Sequence, residues 1–191
     1  MRIIGGQSRG LKLATPRGRE VRPILDRVRE SLFGILRREV PEACVADLFA
    51  GTGVIGLEAL SRGADRCLFI EKDPRCIGTI GENIRRARCA ERCEVIRADV
   101  FRTADRLAGH GPFDLIFLDP PYRIMRSERH HSRVMDLLER LGGPGGLAEE
   151  GMVILRLPSD ITVPGQVGPL TQIDRRRYGG MRIAFWKRQI P

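Results

Sequence analysis

Long apolar segments and paired cysteine patterns are absent from this 191-residue sequence. No apolar stretch approaches the roughly twenty residues that a membrane-spanning helix needs, and the N-terminus has no apolar secretory core. We therefore expect a cytoplasmic protein. Five cysteines are an odd number, which fits reduced thiols better than a disulfide framework. Cys89 and Cys93 have no histidine or second cysteine pair nearby, so no metal site is predicted.

Lysine is also scarce, although the chain is strongly basic. It has 33 basic and 24 acidic residues, a net charge of +9, and its lysines are Lys12, Lys72 and Lys187. The first 40 residues contain ten basic and four acidic side chains. Their net charge of +6 is two-thirds of the +9 of the whole chain. Such an asymmetry is typical of a protein that binds a polyanion. A solvated surface that keeps the protein in solution is the alternative.

Apolar runs alternate with helical patterns from residue 44 onward, which predicts an α/β fold with a Rossmann-like, doubly wound and mostly parallel sheet. Strands are predicted at 44–46, 67–70, 93–98, 113–118 and 151–157, and helices at 56–61, 75–88, 101–107 and 133–141. Residues 170–178 and 181–187 predict an antiparallel edge hairpin around a glycine turn. The length suits one core domain, 41–191. Residues 1–40 predict a basic extension, a small β-hairpin and a helix, that packs on this core.

A glycine-rich loop follows the first predicted strand. Gly51, Gly53 and Gly56 match the spacing of a dinucleotide fingerprint, so a hydride-transferring oxidoreductase has to be considered. Asp47, at the end of the strand, would repel a pyrophosphate but suits the ammonium of an amino acid. S-adenosylmethionine has that ammonium and carries no phosphate. The loop therefore favours S-adenosylmethionine as the cofactor.

Acidic residues follow the next strands too. Glu71 comes about twenty residues after Gly51, the distance at which an acid meets a ribose in such folds, and should accept from both ribose hydroxyls. Asp99 follows the third strand and is placed to accept from the adenine amino group. Ligands of open α/β sheets bind beyond the carboxyl ends of the strands. A helix cap or a solvated acid is the alternative for any one of these residues.

The tetrapeptide Asp119-Pro120-Pro121-Tyr122 follows the fourth strand and predicts methylation of an exocyclic amine on a base. The lone pair of such an amine is delocalised into the ring. The Asp119 carboxylate and the Pro120 carbonyl could accept its two hydrogens and free the lone pair for attack. The prolines fix the backbone, and Tyr122 offers a face for an unstacked base. A proline turn with a buried tyrosine is the alternative.

Taken together, these motifs resemble the class I S-adenosylmethionine-dependent methyltransferases. More narrowly, the chain resembles the RsmD family of bacterial guanine-N2 methyltransferases, which modify small-subunit (16S) ribosomal RNA. The segments that carry the likeness are 1–6, 22–23, 26–33, 47–64, 119–122 and 178–179. The chain departs from the family at Ile24 and Leu25, where threonines are usual, and this removes a hydroxyl cap from the following helix.

The resemblance implies a monomer that binds 16S ribosomal RNA, as naked RNA or as an assembled subunit. Its donor site would consist of Asp47, Phe49, Gly51, Thr52, Gly53, Glu71, Lys72, Asp99 and Val100. The side chains expected to contact RNA are Arg2, Arg9, Lys12, Arg22, Arg27 and Arg29. Guanine-N2 specificity comes from the resemblance alone.

Two further functions stay open at this point. Adenine-specific DNA methyltransferases use a very similar tetrapeptide, but the forty-residue extension leaves little room for their target-recognition region. A non-catalytic RNA-binding assembly factor could also retain the fold, although a binding module has no need of a positioned amine acceptor.

Overall fold

The computed structural model describes residues 1–16 and 24–189 and forms two compact units, Met1–Ala98 and Asp99–Pro191. Each unit has its own part of the α/β fold. The predicted RNA contact Arg22 lies outside the described residues. None of the helices in the described ranges is long and apolar enough to cross a membrane.

The first unit holds three parallel strands in the order β3-β2-β1. The strands β1 and β2 are almost wholly buried, which explains their continuous apolar sequence. In chain order the elements are α1 (Asp26–Ile35), β1 (Cys44–Leu48), α2 (Val54–Ser61), β2 (Arg66–Glu71), α3 (Pro74–Ala87), a 3₁₀ turn (Ala90–Arg92) and β3 (Cys93–Arg97). Leu25 is the N-cap residue of α1 and makes no side-chain hydrogen bond there, as its apolar character implies.

The predicted N-terminal hairpin is reduced to one isolated antiparallel bridge, between Arg2 and Lys12. The two arms also share backbone hydrogen bonds, such as that from the Ile3 amide to the Leu11 carbonyl at 3.0 Å, and the segment docks on α2, where the Gln7 amide donates to the Ser61 carbonyl at 2.7 Å. Gly6 has a φ of 76°, and a Cβ at this position would lie 1.8 Å from the same carbonyl oxygen. The glycines therefore allow close docking on a helix, which the hairpin pattern did not anticipate.

The second unit holds strands in the order β4-β5-β8-β7-β6. Its β4–β5 pair is parallel and the later pairs are antiparallel, which confirms the predicted mostly parallel α/β fold with an antiparallel C-terminal hairpin. The elements are α4 (Val100–Leu107), β4 (Phe113–Leu118), α5 (Tyr122–Met125), α6 (Glu128–Leu141), β5 (Leu147–Pro158), β6 (Gln166–Val167), β7 (Leu170–Tyr178) and β8 (Met181–Arg188). The short elements α5 and β6 span too few residues to show a periodic pattern.

Candidate active site

The glycine loop between β1 and α2 has an unusual backbone. Phe49, Gly51 and Gly53 have φ angles of 63°, 57° and 75°. A bulky residue such as Phe49 rarely adopts this left-handed conformation, and strain of this kind is concentrated at functional sites. Among the described residues, a Cβ at Gly51 would meet only the Phe49 carbonyl oxygen, at 3.9 Å. The glycine therefore lets a ligand approach the backbone closely at this point.

Glu71, at the end of β2, hydrogen-bonds to this loop through its carboxylate. One carboxylate oxygen accepts from the Gly51 amide at 2.9 Å. The other accepts from the amides of Lys72 and Asp73 at 2.8 and 2.9 Å. A carboxylate has about four acceptor positions, so one position is left. The expected contact with both hydroxyls of a ribose therefore requires that one backbone hydrogen bond be released.

Asp47 is 1% exposed and acts on the loop from within the protein. Its Oδ2 accepts from the Gly56 amide at 2.9 Å and so fixes the first turn of α2. The expected contact of Asp47 with a ligand ammonium stays a prediction.

Asn83 on α3 connects the loop to the N-terminal segment. Its side chain is fully buried; Nδ2 donates to the carbonyls of Thr52 and Ala14 at 3.0 and 3.2 Å, and Oδ1 accepts from the Ala14 amide at 2.7 Å. Thr52 itself is 3% exposed, and its hydroxyl contacts the Met1 sulfur at 3.6 Å. One side chain therefore couples residues 14 and 52, which belong to the predicted extension and the predicted donor loop.

Replacing Asn83 by alanine is expected to lower the free energy of unfolding by about 2–4 kcal/mol, because the buried Thr52 carbonyl and the half-buried backbone groups of Ala14 lose their partners. Urea unfolding would measure the loss. Gln166→Ala removes an exposed amide and is the matched control, with an expected change within about 0.5 kcal/mol. Equal effects of the two substitutions would show that the Asn83 bridge is not stabilising.

In the second unit, the tetrapeptide lies directly after β4. The Asp119 carboxylate accepts a hydrogen bond from Nε of Arg156 on β5. Their side chains are only 23% and 15% exposed. The Arg156 guanidinium also lies over the Tyr122 ring, 5.4 Å from its centroid. Arg156 thereby fixes both the acid and the aromatic ring of the motif.

The prolines set the backbone between these two side chains. Pro121 is the N-cap residue of α5, and its carbonyl accepts from the Ile124 amide at 2.8 Å. None of the described backbone hydrogen bonds uses the carbonyl of the buried Pro120. That oxygen is the second acceptor that the sequence predicts beside Asp119.

Burial and Arg156 act on Asp119 in opposite directions. Removal from water raises the pKa of the Asp119 carboxyl above its usual value, while the charge and hydrogen bond of Arg156 lower it. Burial is the larger effect, so the pKa of Asp119 is raised, and Arg156 limits that rise.

Other predicted donor contacts have local roles in the structure. One carboxylate oxygen of Asp99 accepts from the Phe101 amide at 3.2 Å at the start of α4. Val100 is buried, Lys72 is exposed, and Phe49 is half-buried. Their contacts with a donor stay predictions.

The predicted RNA contacts divide into two groups. Arg2, Arg9, Lys12 and Arg27 are exposed. The prediction for Arg29 is wrong, because this side chain is 0% exposed. It forms ion pairs with Asp26 at 3.0 Å and with Glu58 at 3.4 Å. Arg29 lies on the same buried face of α1 as Val28, Leu32 and Phe33.

Arg156, Asn83 and Glu58 are functional or supporting residues that sequence reasoning missed. Arg156 is a single charge inside the apolar run of 152–157, and Asn83 is a polar residue on the apolar face of α3 beside Ile80 and Ile84. Burying a polar side chain costs free energy unless it is hydrogen-bonded, so a polar residue within an apolar pattern indicates a buried partner. This pattern is the sequence signal from which Arg156 and Asn83 could have been predicted.

The fold, the glycine loop of the first unit and the Asp-Pro-Pro-Tyr turn of the second define the class of the protein as a Rossmann-like methyltransferase. The chain belongs to the family described as Conserved hypothetical protein 95, whose model matches residues 1–187, and the resemblance to the RsmD family is confirmed. It is 36% identical over 154 residues to the ribosomal RNA small subunit methyltransferase D of Escherichia coli, covering 80% of this chain and 72% of that protein.

Two further similarities extend over nearly the whole chain. The Bacillus subtilis protein YlbH is 31% identical over 190 residues, which cover 99% of this chain and 100% of YlbH. The solved structure of yhhF from Escherichia coli superposes with a TM-score of 0.81 at 30% identity, covering 99% of this chain and 98% of that one.

Proposed function

We propose that this protein transfers a methyl group from S-adenosylmethionine to the exocyclic 2-amino group of a guanine in small-subunit (16S) ribosomal RNA. The observation that carries the proposal is the Asp119 carboxylate, which accepts a hydrogen bond from Arg156 at the start of an Asp-Pro-Pro-Tyr turn. The Escherichia coli relative, a ribosomal RNA small subunit methyltransferase by name, supports ribosomal RNA as the substrate.

The residues of the first unit fit the methyl donor. Gly51 has no side chain to obstruct its approach, and Glu71 retains an acceptor position for a ribose hydroxyl. The donor has no phosphate, and the acidic side chains around this loop match that property. When bound, it supplies a methyl group that its sulfonium makes electrophilic. The chain's own task is to hold the loop, through Asp47, Glu71 and Asn83.

The residues of the second unit fit the acceptor amine. Asp119 and the Pro120 carbonyl accept the two hydrogens of the amino group, so that its lone pair is directed at the methyl carbon. Tyr122 stacks on the base with the ring face opposite to Arg156. Because the lone pair is freed only along the reaction path, these acceptors stabilise the transition state more than the bound substrate.

The exposed basic residues of the first unit would bind the RNA backbone. Arg2, Arg9 and Lys12 lie on one docked segment, and Arg27 lies on α1. Arg2 also pairs with Asp26 at 3.3 Å, but an ion pair this exposed is weak enough to exchange for a phosphate.

Replacing Arg156 by methionine is expected to move the acidic limb of the rate–pH profile to higher pH. Without the guanidinium, nothing opposes the burial that raises the pKa of Asp119. Activity is lost as the pH falls through this pKa, so a higher pKa moves the loss upward. Turnover at saturating donor and RNA would be measured against pH, with Arg156→Lys, which keeps the charge, as the control. An unshifted limb in Arg156→Met would exclude Asp119 ionisation as its origin.

The proposed function is tested with labelled S-adenosylmethionine and three acceptors: unmodified small ribosomal subunits, protein-free 16S RNA and duplex DNA. Nucleoside analysis should give N2-methylguanosine from RNA alone. Methyladenine in DNA would identify a DNA adenine methyltransferase instead. Donor binding without transfer to any acceptor would favour a non-catalytic assembly factor.

A further inference from the structure

A second basic surface lies in the C-terminal hairpin. Between Leu170 and Arg188 the chain has six basic residues and one acidic residue. Three of the basic residues are consecutive on β7 and exposed, and we name Arg175, Arg176 and Arg177 the β7 arginine edge. The other arginines of the hairpin serve the fold, because Arg182 donates to the carbonyls of Ser159 and Ile161 and Arg188 to those of Gly142, Gly143 and Leu147.

The β7 arginine edge is accessible along one whole side. The strand β6 pairs with β7 only at Leu170 and Thr171. From residue 174 to residue 178, β7 pairs with β8, and no other described strand pairs with this stretch. Arg176 makes an ion pair with Asp174 at 2.8 Å, and the Arg177 Nε donates weakly to the Gly179 carbonyl at 3.3 Å. These local contacts leave several guanidinium donors for a ligand.

Strand register places this edge at the level of the catalytic motif. Arg176 pairs with Ile183 on β8, and Ile183 pairs with Arg156 on β5. The backbones of Arg176 and Arg156 are therefore two strand spacings apart, about 9.5 Å. Paired residues share a sheet face, so Arg176 lies on the face of Arg156, whereas Arg175 and Arg177 project from the opposite face of this edge strand. Because Arg156 holds Asp119, an RNA strand that crosses the open edge would reach Arg175 and Arg177 within a few nucleotides of a base bound by the motif.

We propose that the β7 arginine edge binds successive phosphates of the RNA strand that carries the target nucleotide. Side chains two residues apart on a strand are separated by about 6.7 Å, so Arg175 and Arg177 match the spacing of neighbouring phosphates. Guanidinium groups grip phosphates bidentately. This inference rests on the proposed function and assigns the RNA contact of the second unit, in addition to the basic residues of the first.

Charged side chains on an open edge strand also prevent pairing with other chains, and the test has to separate this role from RNA binding. The variant Arg175→Glu/Arg177→Glu keeps the edge charged but inverts its sign. The control Arg85→Glu/Arg102→Glu makes the same change in net charge at two exposed helical positions. Binding of protein-free 16S RNA and of small subunits would be titrated by filter retention over a range of KCl concentrations.

The edge variant should bind RNA about tenfold more weakly, and the slope of log K against log salt should fall by about 1.5, the loss of two phosphate contacts. The control and the affinity for S-adenosylmethionine should not change. An unchanged salt slope would overturn the inference. Loss of binding to subunits alone, with normal binding to protein-free RNA, would also overturn it by identifying a ribosomal protein as the partner.

Two further measurements distinguish a failure of the phosphate contact from a failure of the proposed function and from a structural defect of the variant. Wild-type protein that binds RNA but transfers no methyl group to it would refute the proposed function without affecting the phosphate contact. Should the glutamate variant fail to bind the donor, Arg175→Gln/Arg177→Gln removes the same two charges with less repulsion, and the same decrease in slope is expected.

Discussion

Replacing Asp119 by alanine is expected to reduce methyl transfer to RNA by about 10²–10³-fold, the usual cost of removing one preorganised group that acts in the transition state. Donor affinity should stay within about twofold of wild type, because the donor-binding loop belongs to the first unit and Asp119 to the second. Single-turnover transfer and equilibrium dialysis of S-adenosylmethionine would measure the two quantities.

Two companion variants define the cause of that loss. Asp119→Asn retains one acceptor oxygen and should fall between wild type and alanine. Asp119→Ala also leaves Arg156, which is 15% exposed, without its partner, and an unpaired charge at this position destabilises the fold. The double variant Asp119→Ala/Arg156→Met removes that unpaired charge and should remain inactive. Recovery of transfer in the double variant, or an equal loss of donor affinity in Asp119→Ala, would contradict the assigned role.

The strands of the core could be predicted because their sequences are continuous apolar runs with clear limits. The fourth strand was predicted at 113–118 and is observed at Phe113–Leu118, where Pro112 precedes the run and Asp119-Pro120 ends it. The helix α3 starts at Pro74 behind the cap residue Asp73, a local signal within one residue of the predicted start. Local chemistry therefore specified both the elements and the position of the tetrapeptide.

Long-range pairing could not be predicted in the same way. Arg29 was assigned to RNA because helical spacing left it outside the apolar positions of α1, and spacing does not reveal that it faces Glu58, twenty-nine residues later. Arg156 belongs to an apolar strand, and its pairing with Asp119 follows from strand register. The β7 arginine edge was missed because the net charge was summed over all residues after 40, and the acidic residues between 41 and 169 offset the charge of this strand. Sequence patterns predict where helices and strands lie, whereas the partner of a buried charge can be identified only from the three-dimensional fold.

Glu58 presents the largest expected effect on stability. The residue is 0% exposed and accepts from the amides of Ile4 and Gly5 at 2.9 and 2.8 Å and from Nε of Arg62 at 2.8 Å. It also pairs with the buried Arg29, whose pKa is lowered by burial against the opposing charge of Glu58. One carboxylate thus attaches the N-terminal segment, α1 and α2 to each other.

We expect Glu58→Gln to lower the free energy of unfolding by about 3–5 kcal/mol, because removing one partner leaves the charge of Arg29 buried and poorly compensated. Urea unfolding should show a lower midpoint with an unchanged m-value. Glu39→Gln, at an exposed position, is the matched control. Because Glu58 also holds the amides of Ile4 and Gly5, Glu58→Leu/Arg29→Met should recover only part of the loss, the two amides staying unpaired. A midpoint equal to that of the control would show that the buried network contributes nothing to stability.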